Sequence, residues 1–235
     1  MTVSRETLKA LTERHGLPAS AGGVLGALMR ALEEEPDPPT TLRTPREVLD
    51  GHLADSLAGL CLPELTRAGR IADIGAGAGF PGLALAVALP EARLDLIESS
   101  ARKCAVMERL ARAAGLANVR VLALRAEDWA AAEGAGAYEA VTARAVGPLA
   151  VLAEYAAPLL SHGGALVAWK GARDPQEEAA GASAAQQLGM SCDRVERVRP
   201  FDEARERHLH VYVKVAQTPA RFPRRTGVAR KRPLA

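Results

Sequence analysis

The chain has 235 residues, of which 48% are hydrophobic, so it can bury a full core in one domain with an appendage. Its three cysteines form no C-x-x-C pair, which argues against a disulfide framework or a zinc site and suits a reducing compartment. No apolar run approaches the ~18–20 residues of a membrane span, and the N-terminus lacks the apolar core of a signal peptide. We therefore expect a cytoplasmic protein with no metal and no membrane partner.

The net charge of +2 is unevenly distributed. Residues 221–235 carry six cations and no acid: Arg221, Arg224, Arg225, Arg230, Lys231 and Arg232. Without those six, 24 basic residues remain against 28 acidic ones, so a basic tail follows a mildly acidic body. Such a tail indicates an anionic partner, although a solvated terminus gives the same pattern.

Helical apolar spacing predicts two helices, at 5–14 and 20–35, before a proline-rich linker. A capping box at 44–47, with proline at the first helical position, begins a third helix that runs to about residue 60. His52, Asp55 and Ser56 lie at i, i+3 and i+4 and therefore share one face of this helix. Taken alone, they are typical of a hydrogen-bonded cluster on a helix surface.

A short buried strand at 71–74 runs into a glycine-rich turn, with Pro81 at the first turn of the next helix. This arrangement presents bare backbone N–H groups to a ligand. Residues 73–79 fit D-x-G-x-G-x-G, the turn typical of S-adenosylmethionine (SAM) methyltransferases, through Asp73, Gly75, Gly77 and Gly79. Residues 77–82 also fit the dinucleotide pattern G-x-G-x-x-G, which requires its first glycine at the strand end. Because the strand ends at residue 75, the SAM register fits better, and an NAD-dependent oxidoreductase is the alternative.

From residue 70 onward strands alternate with helices, which predicts a parallel doubly wound sheet. Further strands are predicted at 93–97, 118–124, 138–143 and 165–169, and helices at 100–114, 148–160 and 176–188. Residues 194–198 and 208–215 are predicted as an antiparallel pair that closes the sheet. His208 and His210 read as ordinary outward residues of this pair.

Polar residues follow several strands at the carboxyl edge of the sheet, where ligands bind in open α/β folds. Glu98, after the second strand, is placed to bind ribose hydroxyls. Ala126 and Glu127, after the third strand, are candidates to meet adenine, or else belong to a solvated acidic loop. Arg144 and Lys170, after the next two strands, either bind an anionic substrate or are solvated.

Seven stretches, taken in order, resemble one family. They are H-L-A-D-S-L (52–57), A-D-I-G-A-G-A-G-F-P-G (72–82), L-I-E-S-S-A-R-K (96–103), R-A-E-D (125–128), T-A-R-A (142–145), W-K-G (169–171) and F-P-R-R-T-G-V-A-R-K-R-P-L (222–234). Over roughly residues 45–235 the chain resembles the bacterial small-subunit ribosomal RNA guanine-N7 methyltransferases, the RsmG or GidB family.

The resemblance implies a Rossmann-like class I SAM-dependent methyltransferase, an α/β fold with a mostly parallel seven-stranded sheet and an antiparallel last strand. It implies a helical extension at 1–66, a methyltransferase domain at 67–216 and a basic tail at 217–235. The implied reaction is methyl transfer from SAM to guanine N7 in 16S rRNA of the small ribosomal subunit, at guanine 527 in the 530 loop. The residues it carries over as SAM contacts are Gly75, Phe80, Glu98, Ala126, Glu127 and Arg144.

Guanine N7 has a free lone pair, so no proton must leave before attack, and catalysis is expected to rest on positioning. An arginine bound to N7 would block the reaction, so we expect Arg144 to contact SAM, guanine O6 or a phosphate. Lys170, His52 and Asp55 are further candidates for placing the substrate.

The six cations of the tail are expected to bind rRNA phosphates. We expect a monomer with no DNA partner. A non-catalytic RNA-binding protein on the same fold is the second alternative.

Overall fold

A seven-stranded sheet with the order β3-β2-β1-β4-β5-β7-β6 organises the chain in the computed structural model, which describes residues 3–234. The strands are β1 (Arg70–Ile74), β2 (Arg93–Ile97), β3 (Val119–Leu122), β4 (Tyr138–Arg144), β5 (Leu160–Lys170), β6 (Met190–Val198) and β7 (Arg207–Lys214). Strands β1 to β5 pair in parallel, and β7 is antiparallel to both β5 and β6. The predicted α/β fold with a mostly parallel sheet and an antiparallel last strand is confirmed.

Helices precede and connect the strands. They are α1 (Arg5–Arg14), α2 (Ala21–Glu34), α3 (Pro45–Val48), α4 (Asp55–Leu57), α5 (Pro63–Thr66), α6 (Gly82–Ala88), α7 (Ala101–Ala113), α8 (Ala126–Ala130), α9 (Leu149–Ala156), α10 (Pro175–Gln187) and α11 (Val228–Lys231). The predicted capping box is present, because Thr44 accepts from the Glu47 amide and Glu47 accepts from the Thr44 amide. Within residues 3–234, none of these helices is long and apolar enough to cross a membrane.

Apolar side chains cover both faces of the sheet. On one face, buried leucines of α1 and α2 pack with α6 and α7, so the N-terminal helices share a core with the sheet domain. On the other face, α8, α9 and α10 pack against β1, β4 and β5. The division at 66 and 216 stays a prediction.

The third predicted helix is not one regular helix. A π-helical stretch, Leu49–Ala54, separates α3 from α4, and a 3₁₀ turn, Ala58–Cys61, follows. In the π stretch the Asp55 N–H bonds to the Asp50 carbonyl, five residues back. Periodicity of apolar residues does not distinguish a π stretch from an α-helix over so short a span.

Two strands begin earlier than the sequence predicts. β5 starts at Leu160 because Gly163 and Gly164, which read as a turn, lie inside the strand. A Cβ at Gly164 would lie 2.9 Å from the Glu139 carbonyl oxygen, so glycine lets β5 approach β4 closely there. β6 starts at Met190 and is likewise longer than expected.

The prediction that His208 and His210 point outward is wrong. Both are buried, with 6% and 2% of their surface exposed. His208 Nδ1 lies 2.8 Å from the Gly171 carbonyl oxygen, and His210 lies beside Glu178 of α10. Alternation along β7 separates its two faces, but both faces are covered, because Leu209 and Val211 pack into one apolar cluster and Tyr212 packs into another.

Candidate functional site

The glycine-rich turn after β1 requires its glycines. Gly75, Gly77 and Gly79 have φ values of 65°, 61° and 96°, in the left-handed region that glycine adopts without strain. A Cβ at Gly75 would also lie 2.6 Å from Val146 Cγ2. The turn delivers the chain to α6, which begins at Gly82, so Pro81 occupies the N-cap rather than the first helical position.

Asp73, which precedes this turn, is completely enclosed and supports the turn from behind. Its Oδ2 accepts a hydrogen bond from the Gly82 N–H at 2.9 Å, and its Oδ1 accepts from Thr142 Oγ1 at 2.9 Å. Burial raises the pKa of Asp73 to about 6, against an ordinary value of 3.8. The carboxyl therefore ties β1 to the start of α6 and to β4.

The raised pKa of Asp73 predicts a pH-dependent stability. The folded state holds this proton more tightly than the unfolded chain, so stability falls as the pH rises from about 4 to about 6, by about 3 kcal/mol in total. Asp73→Asn cannot ionise, and its amide can still accept from Gly82 and donate to Thr142. We expect the variant's free energy of unfolding, measured with urea between pH 4 and pH 7, to lack this fall. Parallel pH profiles for the two proteins would contradict the assignment.

A cavity of about 150 Å³, here named the glycine-turn cavity, opens where β1 and β2 end. Gly75, Glu98, Ala126 and Glu127 line it, together with Arg230. Four of the residues predicted to bind the cofactor are thus brought together at one edge of the sheet. Among the other predicted contacts, the Gly77 N–H donates to Glu98, which lines the cavity. The remaining four do not line it: Asp73, Gly79, Phe80 and Arg144.

Glu98 is the most firmly held acid of this cavity. Its Oε2 accepts from the Gly77 N–H at 3.2 Å and its Oε1 from the Ser100 N–H at 2.9 Å. The side chain is 9% exposed, and Lys103 Nζ lies 3.9 Å from Oε2. These donors fix the carboxylate against the glycine-rich turn.

A second cavity of about 410 Å³, here named the arginine cavity, opens beside the first. The lining includes all four positioning candidates, His52, Asp55, Arg144 and Lys170. Gly147 lines both cavities, so they adjoin at the turn that follows β4. In that turn Ala145 has a φ of 58°, a strained conformation for a residue with a side chain.

Arg144, the last residue of β4, joins the sheet to the N-terminal helices. Its Nη1 donates to the Gly51 carbonyl at 2.7 Å and to Asp55 Oδ2 at 2.8 Å, and its Nη2 lies 2.9 Å from His52 Nδ1. The side chain is 14% exposed. The π-helical stretch contributes to this contact, because the Asp55 N–H bonds to Asp50 and the Gly51 carbonyl faces Arg144 instead.

His52 is neutral in this setting. Burial, with the nearby Arg144 charge, lowers the pKa of His52 to about 3. Nδ1 therefore accepts from Arg144, and Nε2–H donates to Thr40 Oγ1 at 2.9 Å. The ring also stacks on Phe80 with centroids 4.4 Å apart. The expectation of a cluster on a helix surface is wrong, because His52 and Asp55 are both buried against the sheet.

Sequence reasoning missed three partners of these residues. Arg207 Nε pairs with Asp55 Oδ1 at 3.1 Å, and Trp169 Nε1 donates to the Asp55 carbonyl at 2.9 Å. Lys170 Nζ pairs with Glu177 Oε1 at 2.6 Å. A signal for Arg207 exists in the topology, because an antiparallel strand begins at the edge where its parallel neighbours end.

The basic tail is folded against the sheet domain. Phe222 and Ala229 are buried, and α11 packs on α9. Arg224 forms a two-pronged ion pair with the buried carboxylate of Glu154, through Nε at 2.6 Å and through Nη2. The other five cations, namely Arg221, Arg225, Arg230, Lys231 and Arg232, are exposed.

Comparisons of sequence agree on one family. The family model "GidB: rRNA small subunit methyltransferase G" matches residues 40–209. The chain is 42% identical over 196 residues to "Ribosomal RNA small subunit methyltransferase G" of Rubrobacter xylanophilus, covering 82% of this chain and 75% of that protein. It is 41% identical over 212 residues to the protein of the same name from Deinococcus radiodurans, covering 88% of this chain and 82% of that one.

Solved structures agree on the fold. A predicted O-methyltransferase from Agrobacterium tumefaciens aligns with a TM-score of 0.53 at 27% identity, over 71% of this chain and 81% of that one. Fibrillarin of Aeropyrum pernix, solved with bound S-adenosyl-L-methionine, aligns with a TM-score of 0.52 at 19% identity, over 68% of this chain and 73% of that one. The fold is that of the class I SAM-dependent methyltransferases.

Proposed function

Because the chain belongs to the rRNA small subunit methyltransferase G family, we propose that it transfers a methyl group from SAM to N7 of a guanine in 16S rRNA. Family and fold together make SAM the cofactor and a small-subunit rRNA methyltransferase the class of enzyme. They favour this function over an NAD-dependent oxidoreductase and over an RNA-binding protein without activity. The proposed nucleotide is guanine 527 in the 530 loop of the small subunit.

The glycine-turn cavity fits the cofactor. Its glycine-rich turn leaves no room for a Cβ at Gly75, and the carboxylate of Glu98 stands at the end of β2, where ribose hydroxyls are bound in this fold class. Ala126 and Glu127 line the side where we place adenine. When bound there, SAM supplies a sulfonium methyl group that a lone pair can displace directly.

The observation that carries the proposal is that two cavities adjoin at Gly147. The charged residues of the first are Glu98, Glu127, Arg125 and Arg230, whereas cations outnumber acids in the second, which has Arg144, Lys170 and Arg207 beside Asp55. A purine in the arginine cavity would lie next to the cofactor, beside cations that Asp55 and Glu177 hold in place and whose remaining N–H groups would face O6 and backbone phosphates. Because Gly51 and Asp55 already hold Arg144, its guanidinium would stand at a fixed position beside the purine without bonding to N7.

The reaction needs no general base, and the site agrees with this. Guanine N7 carries a lone pair and no proton, so attack on the methyl group requires alignment rather than deprotonation. The pKa of His52, lowered to about 3, keeps this imidazole neutral at physiological pH. His52 therefore holds Arg144 and Phe80 in place and neither accepts nor donates a proton in the methyl-transfer step.

This mechanism predicts a flat pH profile. Between pH 6.5 and pH 8.5 we expect kcat/KM for methyl transfer to change by less than about threefold, because no group needs to gain or lose a proton for attack. Initial rates with labelled SAM and saturating small subunits at a constant ionic strength test this. A rise of one logarithmic unit per pH unit would point to a base that the proposal lacks.

The substrate guanine must be presented from an exposed or splayed loop. The major groove of A-form RNA, which carries N7, is deep and narrow, so side chains do not reach it in a regular helix. The exposed tail cations would hold backbone phosphates and make binding depend on salt. Because the substrate is ribosomal, we place the reaction in the cytoplasm. A monomeric state and the absence of a DNA partner stay predictions.

The deciding experiment is methyl transfer from labelled SAM to small ribosomal subunits that lack the modification, followed by mass-spectrometric mapping of the rRNA. We expect a single N7-methylguanine at position 527. A parallel reaction with deproteinised 16S rRNA tells which form is the substrate. If the protein bound SAM without transferring the methyl group, the cofactor assignment would stand and another methyl acceptor would have to be sought. If NAD and not SAM raised the melting temperature, the NAD-dependent oxidoreductase would become the favoured function.

A further inference from the structure

The tail meets the glycine-turn cavity at its adenine side. The Gly227 N–H donates to Glu127 Oε1 at 2.9 Å, and Thr226 Oγ1 bonds to Asp128 Oδ1 at 2.5 Å. Glu127 and Asp128 form the first turn of α8, which begins directly at the cavity. Arg230 completes the contact, because it lines the cavity beside Tyr155. The tail therefore meets the wall of the cofactor pocket at two points, Glu127 and Arg230, and Thr226 fastens it to the neighbouring Asp128.

We propose that residues 222–232 are a built part of the cofactor site, in which the Gly227 amide orients Glu127 and Arg230 closes the adenine side. The inference rests on the proposed function only in naming SAM as the ligand. It assigns the tail a task that does not depend on RNA, besides the phosphate binding expected from its charge.

The docking is specific in its chemistry. Arg224 reaches Glu154, which is 2% exposed, and its Nη2 also donates to the Arg232 carbonyl at 2.9 Å, so the ion pair fastens both ends of the segment. Phe222 and Ala229 are buried on the same side. A solvated basic terminus would have neither a buried ion pair nor buried apolar residues.

Gly227 is the conformational centre of the contact. Its φ of 81° lies in the left-handed region, and this places its N–H toward Glu127 immediately before α11. A Cβ at this position would meet no atom within 4 Å, so Gly227→Ala introduces backbone strain without a clash. The variant therefore loosens the segment while leaving the rest of the fold in place.

Arg230 acts on the electrostatics of the pocket. It lines the glycine-turn cavity together with Tyr155 and a second cation, Arg125. Glu98 and Glu127 face the same space. Arg230 thus balances two acids beside the place where the neutral adenine ring would lie.

Calorimetric titration of SAM without RNA tests the inference. Removal of residues 221–235 should raise the dissociation constant about 30-fold, because it removes the Gly227 hydrogen bond to Glu127 together with Arg230. Arg230→Ala, which removes the cation, and Gly227→Ala, which strains the backbone that directs the amide to Glu127, should raise it about fivefold each. Arg112→Ala removes an exposed cation from the last turn of α7, outside the tail and both cavities, and should leave SAM affinity within twofold. Thermal unfolding checks that each variant is folded, since the truncation leaves Glu154 unpaired.

Protection of the tail from trypsin gives a second readout. If the segment and SAM stabilise each other, saturating SAM should slow cleavage after Arg224, Arg225 and Arg230 by a factor similar to the affinity lost on truncation, because coupling is reciprocal. Unchanged SAM affinity in the truncated and Arg230→Ala proteins, with cleavage rates indifferent to SAM, would overturn the inference. That outcome is distinct from failure of the proposed function, in which the full chain itself would not bind SAM.

Discussion

Arg144→Ala is expected to lower kcat/KM for methyl transfer about 100-fold. The guanidinium forms one wall of the arginine cavity and holds Gly51, His52 and Asp55 against the end of β4. Its loss leaves the buried Asp55 with Arg207 and removes the constraint on where a purine would lie. Misplacement of reacting groups by about 1 Å costs about two orders of magnitude in rate.

The readouts of this variant separate two roles. Since Arg144 lies outside the lining of the glycine-turn cavity, SAM affinity measured by calorimetry should stay within about threefold. If Arg144→Ala instead weakened SAM binding and left kcat unchanged, Arg144 would be the SAM contact that the family resemblance implies. Arg144→Lys keeps the charge without the planar fork and should recover part of the rate. Arg93→Ala, at the exposed amino end of β2, is the matched control and should change neither quantity.

The sheet could be read from the sequence because its strands are short, apolar and separated by helices. β1, β2 and β4 were placed to within one residue, since the apolar run of each is followed at the carboxyl edge by a glycine or a charged residue, namely Gly75, Glu98 and Arg144. The boundaries of β5 and β6 were missed where glycines or polar residues lie within a strand. Those positions depend on how closely the neighbouring strand approaches, and local sequence does not contain that distance.

The sequence predicts those site residues whose position is set by the end of a strand, but not those whose position is set by tertiary packing. Glu98, Glu127, Arg144 and Lys170 were placed at the correct edge because parallel strands end there together. The burial of His52 and Asp55 was not predictable, since a helix face looks the same whether solvent or a sheet covers it.

The tail presents the same difficulty in a sharper form. Its composition indicates a solvated or phosphate-binding segment, yet Arg224 forms an ion pair with the buried carboxylate of Glu154 in α9. An acid within an apolar helix and a cation 70 residues later give no local signal of their pairing. Only the fold brings Gly227 to Glu127, and so only the fold joins the tail to the cofactor pocket.

Glu98→Gln should raise the dissociation constant for SAM about 100-fold. The carboxylate accepts from Gly77 N–H with one oxygen and from Ser100 N–H with the other. Whichever way the amide of glutamine is turned, its NH₂ group faces one of these donors, so the turn shifts and a ribose hydroxyl loses its charged acceptor. Two charge-assisted hydrogen bonds at about 1.5 kcal/mol each account for this factor.

Two further variants isolate the charge of Glu98 from its position. Glu108→Gln makes the same change on an exposed side chain of α7 and should leave SAM affinity unchanged. Glu98→Asp keeps the charge on a shorter stem and should fall between the wild type and Glu98→Gln. If Glu98→Gln weakened SAM binding by less than threefold, neither the charge of this acid nor its hold on the glycine-rich turn would determine SAM affinity. The ribose would then have to be bound by Glu127, the other acid of the cavity, and the tail that orients Glu127 would become the main determinant of cofactor affinity.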